Sequence, residues 1–195
     1  RDFKLEPNPD WGTNPAKVAP NNHMTTADKL DARDHSTRDV ITYNDASDEG
    51  IAFSWGATTP LSSEQQRLLN NGTIAAAAGD GLGKDRLNFL RGDRTKEEKN
   101  GGKFRNRKTI QGDIVNSAVW YAGPPASNYS FDGYSSFSRT NKVRKPMLYV
   151  GGNDGMLHGF SAKDGEEYIA YVPQGVYNNL SKISEPGYSH LYYVD

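Results

Sequence analysis

Met147-Leu148-Tyr149-Val150-Gly151-Gly152-Asn153-Asp154-Gly155-Met156-Leu157-His158-Gly159-Phe160, continued by Lys163-Asp164-Gly165 and a run from Glu167 to Val172, decides the fold. Apolar and aromatic residues fill three short runs, and Asx-Gly pairs separate them. Asn-Asp-Gly and Asp-Gly supply the positive φ that tight hairpin turns require. Runs spaced about 8–10 residues apart form a meander of the kind found in sandwiches and propellers. Residues 146–173 therefore read as one blade of a β-propeller serving as a binding scaffold. Alternation along the second run puts Met156, His158 and Phe160 on one face. That makes His158 a hydrogen-bonded packing residue rather than a base.

The rest of the composition agrees with a loop-rich, mainly β chain. Only 35% of the 195 residues are apolar, with 20 Gly and 10 Pro. The 7 Phe, 3 Trp and 11 Tyr give a core its anchors, and the net charge is −1. Near-neutrality argues against a nucleic-acid or anionic-membrane binder. The absence of cysteine removes disulfides and thiolate metal sites. No apolar run is long enough to span a bilayer. The first residue is Arg1, and the last five residues read as a strand interrupted at its turn, so a segment of a longer protein is expected.

Outward from the blade, residues 1–39 carry four prolines and no hydrophobic period, which predicts an irregular polar lead-in. Residues 40–195 are expected to form the N-terminal portion of the propeller domain. Val40–Tyr43 and Ile51–Trp55 read as strands around an Asx-rich loop. Residues 61–69 carry Ser62 with Gln65 three residues on, a capping box, with Gly72 placed to close the helix. A second helix is predicted from about Lys84 to Arg91, ended by Gly92. Residues 95–108 hold six cations against two glutamates around Gly101-Gly102, which reads as a mobile loop or hairpin tip that could touch phosphate or an acidic surface, though such runs are usually only solvated. Residues 114–122 read as strand. Residues 123–139 form an aromatic loop that either docks a protein partner or seals one end of the blade. A short helix with Val176, Leu180 and Ile183 on one side follows Pro173. Helical insertions point to a modified propeller.

Four motifs resemble the PilC/PilY family of type IV pilus tip-associated proteins, in family order. They are Asn88-Phe89-Leu90-Arg91-Gly92-Asp93-Arg94, Gly112-Asp113-Ile114-Val115-Asn116-Ser117, the Tyr149–Phe160 run with Ala170-Tyr171-Val172-Pro173, and Tyr188-Ser189-His190-Leu191-Tyr192-Tyr193-Val194-Asp195. The resemblance covers about residues 40–195. It implies a modified β-propeller in a non-enzymatic, exported protein at the pilus tip, outer membrane or cell surface of a Gram-negative bacterium. It further implies minor pilins and a host-cell or abiotic surface as partners, and roles in pilus assembly, retraction control and adhesion. Some members carry a calcium loop of the Asp-x-Asp-x-Asp-Gly kind. This chain has none, so no cofactor is expected here and calcium is left to other parts of a full-length protein. A quinoprotein dehydrogenase propeller and an outer-membrane assembly propeller are the alternatives.

Candidate site residues are few. Arg91-Gly92-Asp93 is the integrin-type triplet, but Arg91 and Gly92 also suit a helix C-terminus. Asp45, Ser47 and Asp48 offer oxygen ligands without EF-hand spacing, and a solvated hairpin loop is the stronger reading. The glycine-rich 79–84 stretch lacks the first Gly and the Ser/Thr of a phosphate loop and reads as a flexible loop. No His-Glu-x-x-His or Gly-x-Ser-x-Gly pattern occurs.

Overall fold

A computed structural model describes residues 11–17, 23–56, 58, 61–71 and 79–195. Its centre is the predicted meander. Strands β3 (Trp120–Ala122), β4 (Met147–Gly152), β5 (Met156–Ser161) and β6 (Glu167–Val172) pair antiparallel in chain order. The turn glycines Gly155 and Gly165 have φ of 88° and 73°, as the Asx-Gly signals require. A hairpin of β1 (Val40–Asn44) and β2 (Glu49–Ala52) adds to the far side, with β1 parallel to β6. One six-stranded sheet of order β2-β1-β6-β5-β4-β3 results.

Helices cover one face of the sheet. Val40, Met156, Ala170 and Val172 from the strands pack with Phe53, Leu69, Leu87, Phe89, Tyr177, Leu180 and Ile183. The helical partners are α2 (Ser63–Leu69), α3 (Gly83–Arg91) and α5 (Tyr177–Leu180), the last flanked by 3-10 turns at Gln174–Val176 and Ser181–Ser184. Leu30 joins Val150 and Phe160 in a second cluster. The opposite face stays open: Ile41, Leu157 and Tyr168 are each more than a third exposed.

Several expectations need correction. The lead-in contains a helix, α1 (Thr26–Ala32), and a 3-10 turn at His35–Thr37. Its signal is a capping box of Thr25 with Asp28, too short to show as a hydrophobic period. The 114–122 strand shrinks to Trp120–Ala122 because residues 115–117 turn their amides toward Asp195. Residues 191–195 form no strand, since their backbone crosses β4 instead of pairing along it. The aromatic loop contains a helix, α4 (Tyr134–Thr140). The two expected helices, α2 and α3, are present with their Ser62–Gln65 box and Gly92 cap. Asn70 is the C-cap of α2, and Gly72 lies outside the described residues.

Candidate functional site

Three of the motifs meet at the Asn153-Asp154 turn, and the fourth, 88–94, joins the same frame through Arg38. At the centre is His158, wholly buried and stacked on Phe160. Its Nδ1–H donates to Glu167 at 2.8 Å and its Nε2–H to Asp154 at 3.0 Å. Glu167 also takes the Arg38 guanidinium at 2.7 and 2.9 Å. Two cations and two carboxylates thus form a closed, neutral brace. Burial alone would lower the His158 pKa, but the carboxylates of Asp154 and Glu167 raise it to about 9. Burial likewise opposes the Glu167 charge, yet His158 and Arg38 bring its pKa down to about 2. His158 is therefore an imidazolium across the neutral range.

Strand irregularity brings Glu167 to this face. Gly159 pairs with Ile169, but Phe160 pairs with Glu167, leaving Tyr168 as an extra residue. A bulge of this kind re-aims the side chains beyond it. Plain alternation would have placed Glu167 opposite His158.

Asp154 links the brace to the next motif. It accepts the Gly112 N–H at 2.7 Å and the Met156 N–H at 3.3 Å. A Cβ on Gly112 would collide with the backbone of Asn153 and Asp154, so glycine is required for this approach. Asn153 accepts the Tyr193 N–H at 3.1 Å, and its Nδ2 donates to Asp195 at 3.3 Å. The Asp195 carboxylate collects the amides of Val115, Asn116 and Ser117 at 2.7–2.9 Å. Burial disfavours its charge, but these three donors hold its pKa at about 2. Gly151 makes room for the Val194 carbonyl, which a Cβ would strike. What reads as a hairpin turn in sequence is thus a hub for the 112–117 and 193–195 segments.

The integrin-type triplet is built into the same frame. The Arg91 guanidinium points inward and donates to the carbonyls of Phe53, His35 and Arg38. Arg38 returns a bond to the Arg91 carbonyl at 2.6 Å. Gly92 caps α3 with φ of 122°, and Asp93 accepts the Thr95 N–H at 2.7 Å. This geometry is that of a helix terminus. Asp45, Ser47 and Asp48 sit on the exposed β1–β2 turn, where Asp48 accepts the Tyr43 hydroxyl. Among the described residues no three His, Asp or Glu side chains converge as a metal site requires.

Two loops read as mobile or solvated are pinned by buried ions. Glu97, wholly buried, takes Arg107 at 2.9 Å and Lys99 at 3.0 Å. Burial pushes the Arg107 pKa down to about 10 although Glu97 supports its charge. Arg107 also stacks on Phe89 and donates to the Phe89 and Asp93 carbonyls. In the glycine-rich stretch, Asp80 pairs with the fully buried Arg86, which also reaches Glu185 and Ser184. Sequence reasoning missed Arg38, Arg86, Arg107 and Glu167. None of the four lies in a quoted motif, and their partners are distant in sequence or masked by a run of like charge. A cleft of about 200 Å³ opens beside the hub, lined in part by Arg105, Asp113, Asn153 and Tyr188.

The 124–145 insert between β3 and β4 contrasts with all this. Residues 124–149 include none that is buried. Tyr129, Phe131, Tyr134 and Phe137 make ring contacts with one another, with ring centroids 5.0–5.8 Å apart.

Residues 111–195 match the PilY1 beta-propeller domain family. The chain is of the PilY1/PilC type. It is 42% identical over 158 residues to the type IV pilus biogenesis factor PilY1 of Pseudomonas aeruginosa (strain PAK), a match covering 73% of this chain and 13% of that protein. It is 38% identical over 154 residues to a PilY1 homolog of Xylella fastidiosa, with 75% and 12% covered. A third relative, the PilY1 of P. aeruginosa strain UCBPP-PA14, is 34% identical over 177 residues, 85% and 15%. The chain thus spans roughly an eighth of the length of these relatives. No solved structure matches it. The PilY1-type sheet is mainly β, with short helices on one face, in keeping with the fold expected from the meander.

Proposed function

We propose that this chain is part of a non-enzymatic type IV pilus factor that acts in pilus assembly and retraction control. In this reading it stands at the pilus tip on the outer surface of a Gram-negative cell, contacts minor pilins, and contributes to adhesion to host cells or abiotic surfaces. The observation that carries the reading is the match of most of this chain to pilus biogenesis factors. Two features support a scaffold over an enzyme. His158 is enclosed by its two carboxylates, so no substrate reaches it. The open face of the sheet, carrying Ile41, Leu157 and Tyr168, is what a neighbouring blade would cover. No helix among the described residues is long and apolar enough to cross a membrane.

The test is deletion of the parent gene. Surface pili and twitching should be lost, and the wild-type gene should restore them. Adhesion is then scored per surface pilus in a strain carrying surface variants of this chain. Normal piliation and twitching in the deletion strain would sink the assembly role. Unchanged adhesion per pilus in every such variant would sink the adhesive role.

A further inference from the structure

The 124–145 insert has the composition of a binding loop rather than of a core element. Tyr129, Phe131, Tyr134 and Phe137 are joined by Ser127, Asn128, Ser130, Ser135 and Ser138 and by the cations Arg139 and Lys142. Rigid aromatics with adaptable hydroxyl and amide groups are the mix that protein-binding loops use, because two χ angles order a large contact area at low entropy cost. Phe131 is 63% exposed and Tyr129 60% exposed. A groove of about 570 Å³ runs between the Pro124-Pro125 wall and α4, with Tyr134 and Arg139 on its sides.

Charge selects the occupant. Residues 123–145 hold four cations (Arg139, Lys142, Arg144 and Lys145) against the single carboxylate of Asp132, in a chain whose net charge is −1. Elsewhere several surface cations find carboxylates, as in Lys17–Asp28, Lys29–Glu166, Arg67–Glu64 and Arg94–Asp31. In the insert Arg144 binds the Gly123 carbonyl and Lys145 lies over Tyr168. Arg139 and Lys142 have no carboxylate partner among the described residues. Aromatic and arginine side chains are the enriched centre of protein interfaces, and opposite charge fixes register and on-rate.

We propose that this groove docks an acidic polypeptide segment, with its carboxylates on Arg139 and Lys142 and its apolar or aromatic side chains on Tyr129 and Tyr134. The proposal stands apart from the pilus reading, and its failure would leave that reading untouched.

The test uses the full chain with three fluorescent probes: poly-L-glutamate, a glutamate–tyrosine copolymer and polygalacturonate. The copolymer should bind most tightly, and polygalacturonate most weakly. Arg139→Glu with Lys142→Glu should cost about tenfold or more in copolymer affinity, in line with the loss of interface hot spots. Tyr134→Ala should erase the copolymer's advantage over polyglutamate. No residue of the insert is buried, so these variants should keep the wild-type melting curve, which checks that they fold. Absence of copolymer binding would overturn the proposal. So would charge reversal without effect, or polygalacturonate binding as tightly as the copolymer, which would make the groove a site for acidic glycans.

Discussion

The charges of the brace and the aromatics of the insert occupy each other's customary places. Arg38, Glu167, His158 and Asp154 lie inside, where charges are costly, and every one is paired. Tyr129, Phe131 and Phe137 lie outside, where large apolar surface is conspicuous, and their ring contacts are with one another and with Tyr134. The brace joins residues 129 positions apart in sequence, so it fixes where the lead-in sits on the blade. The insert reaches the sheet only near its end, where Lys145 lies over Tyr168. Internal charge here specifies architecture, and external apolar surface is left for contact.

Breaking the brace should have the largest effect. Glu167→Ala leaves Arg38 a buried cation without its carboxylate and leaves His158 with Asp154 alone. Removing one partner of a buried pair costs about 3–5 kcal/mol. Urea unfolding should register that loss. A loss below about 1 kcal/mol would show that water or rearrangement readily replaces Glu167, and the contrast with the insert would fail.

Titration breaks the same brace more gently. The folded pKa of His158 lies near 9, above its ordinary 6.5. The stability it contributes is fully present below about pH 6.5 and is lost as pH rises through about 9. Between those limits one proton is bound in the folded state and not in the unfolded, so stability should fall by about 1.4 kcal/mol per pH unit. Glu167 acts at the other end: its folded pKa near 2 lies below its ordinary 4.5, so its contribution is present above about pH 4.5 and lost as pH falls through about 2. In His158→Phe the alkaline limb should flatten when unfolding free energy is measured against pH. A limb of unchanged slope would assign the effect to other groups.

These two regions also mark what sequence can and cannot disclose. The turns of the blade were legible because Asn153-Asp154-Gly155 and Asp164-Gly165 encode their own backbone conformation. The caps at Ser62–Gln65 and Gly92 are likewise local. The brace was not legible. Its assembly depends on the Tyr168 bulge and on parallel pairing of β1 with β6, and neither leaves a mark in the neighbouring residues. Residues 95–108 were misread for the same reason: a run of cations looks solvated until Glu97 and Phe89 are found beneath Arg107. The insert lay between these cases. Its aromatics were plain to see, and whether they covered the blade or faced outward was a tertiary question.

The smallest expected effect is therefore the sharpest probe of the comparison. Replacing Tyr129, Phe131 and Phe137 together with serine removes three large apolar side chains. In a core each such loss would cost about 3–5 kcal/mol. Here none of the three is buried, and their ring contacts lie within the insert. An element so placed opens locally, without drawing on the stability of the sheet. The triple variant should shift global unfolding by no more than about 0.5 kcal/mol, while amide exchange within residues 124–145 quickens. A global loss of several kcal/mol would mean that the aromatics seal the blade after all. Unchanged stability with faster local exchange would leave the insert free to serve a partner, apart from the core and brace that hold the blade together.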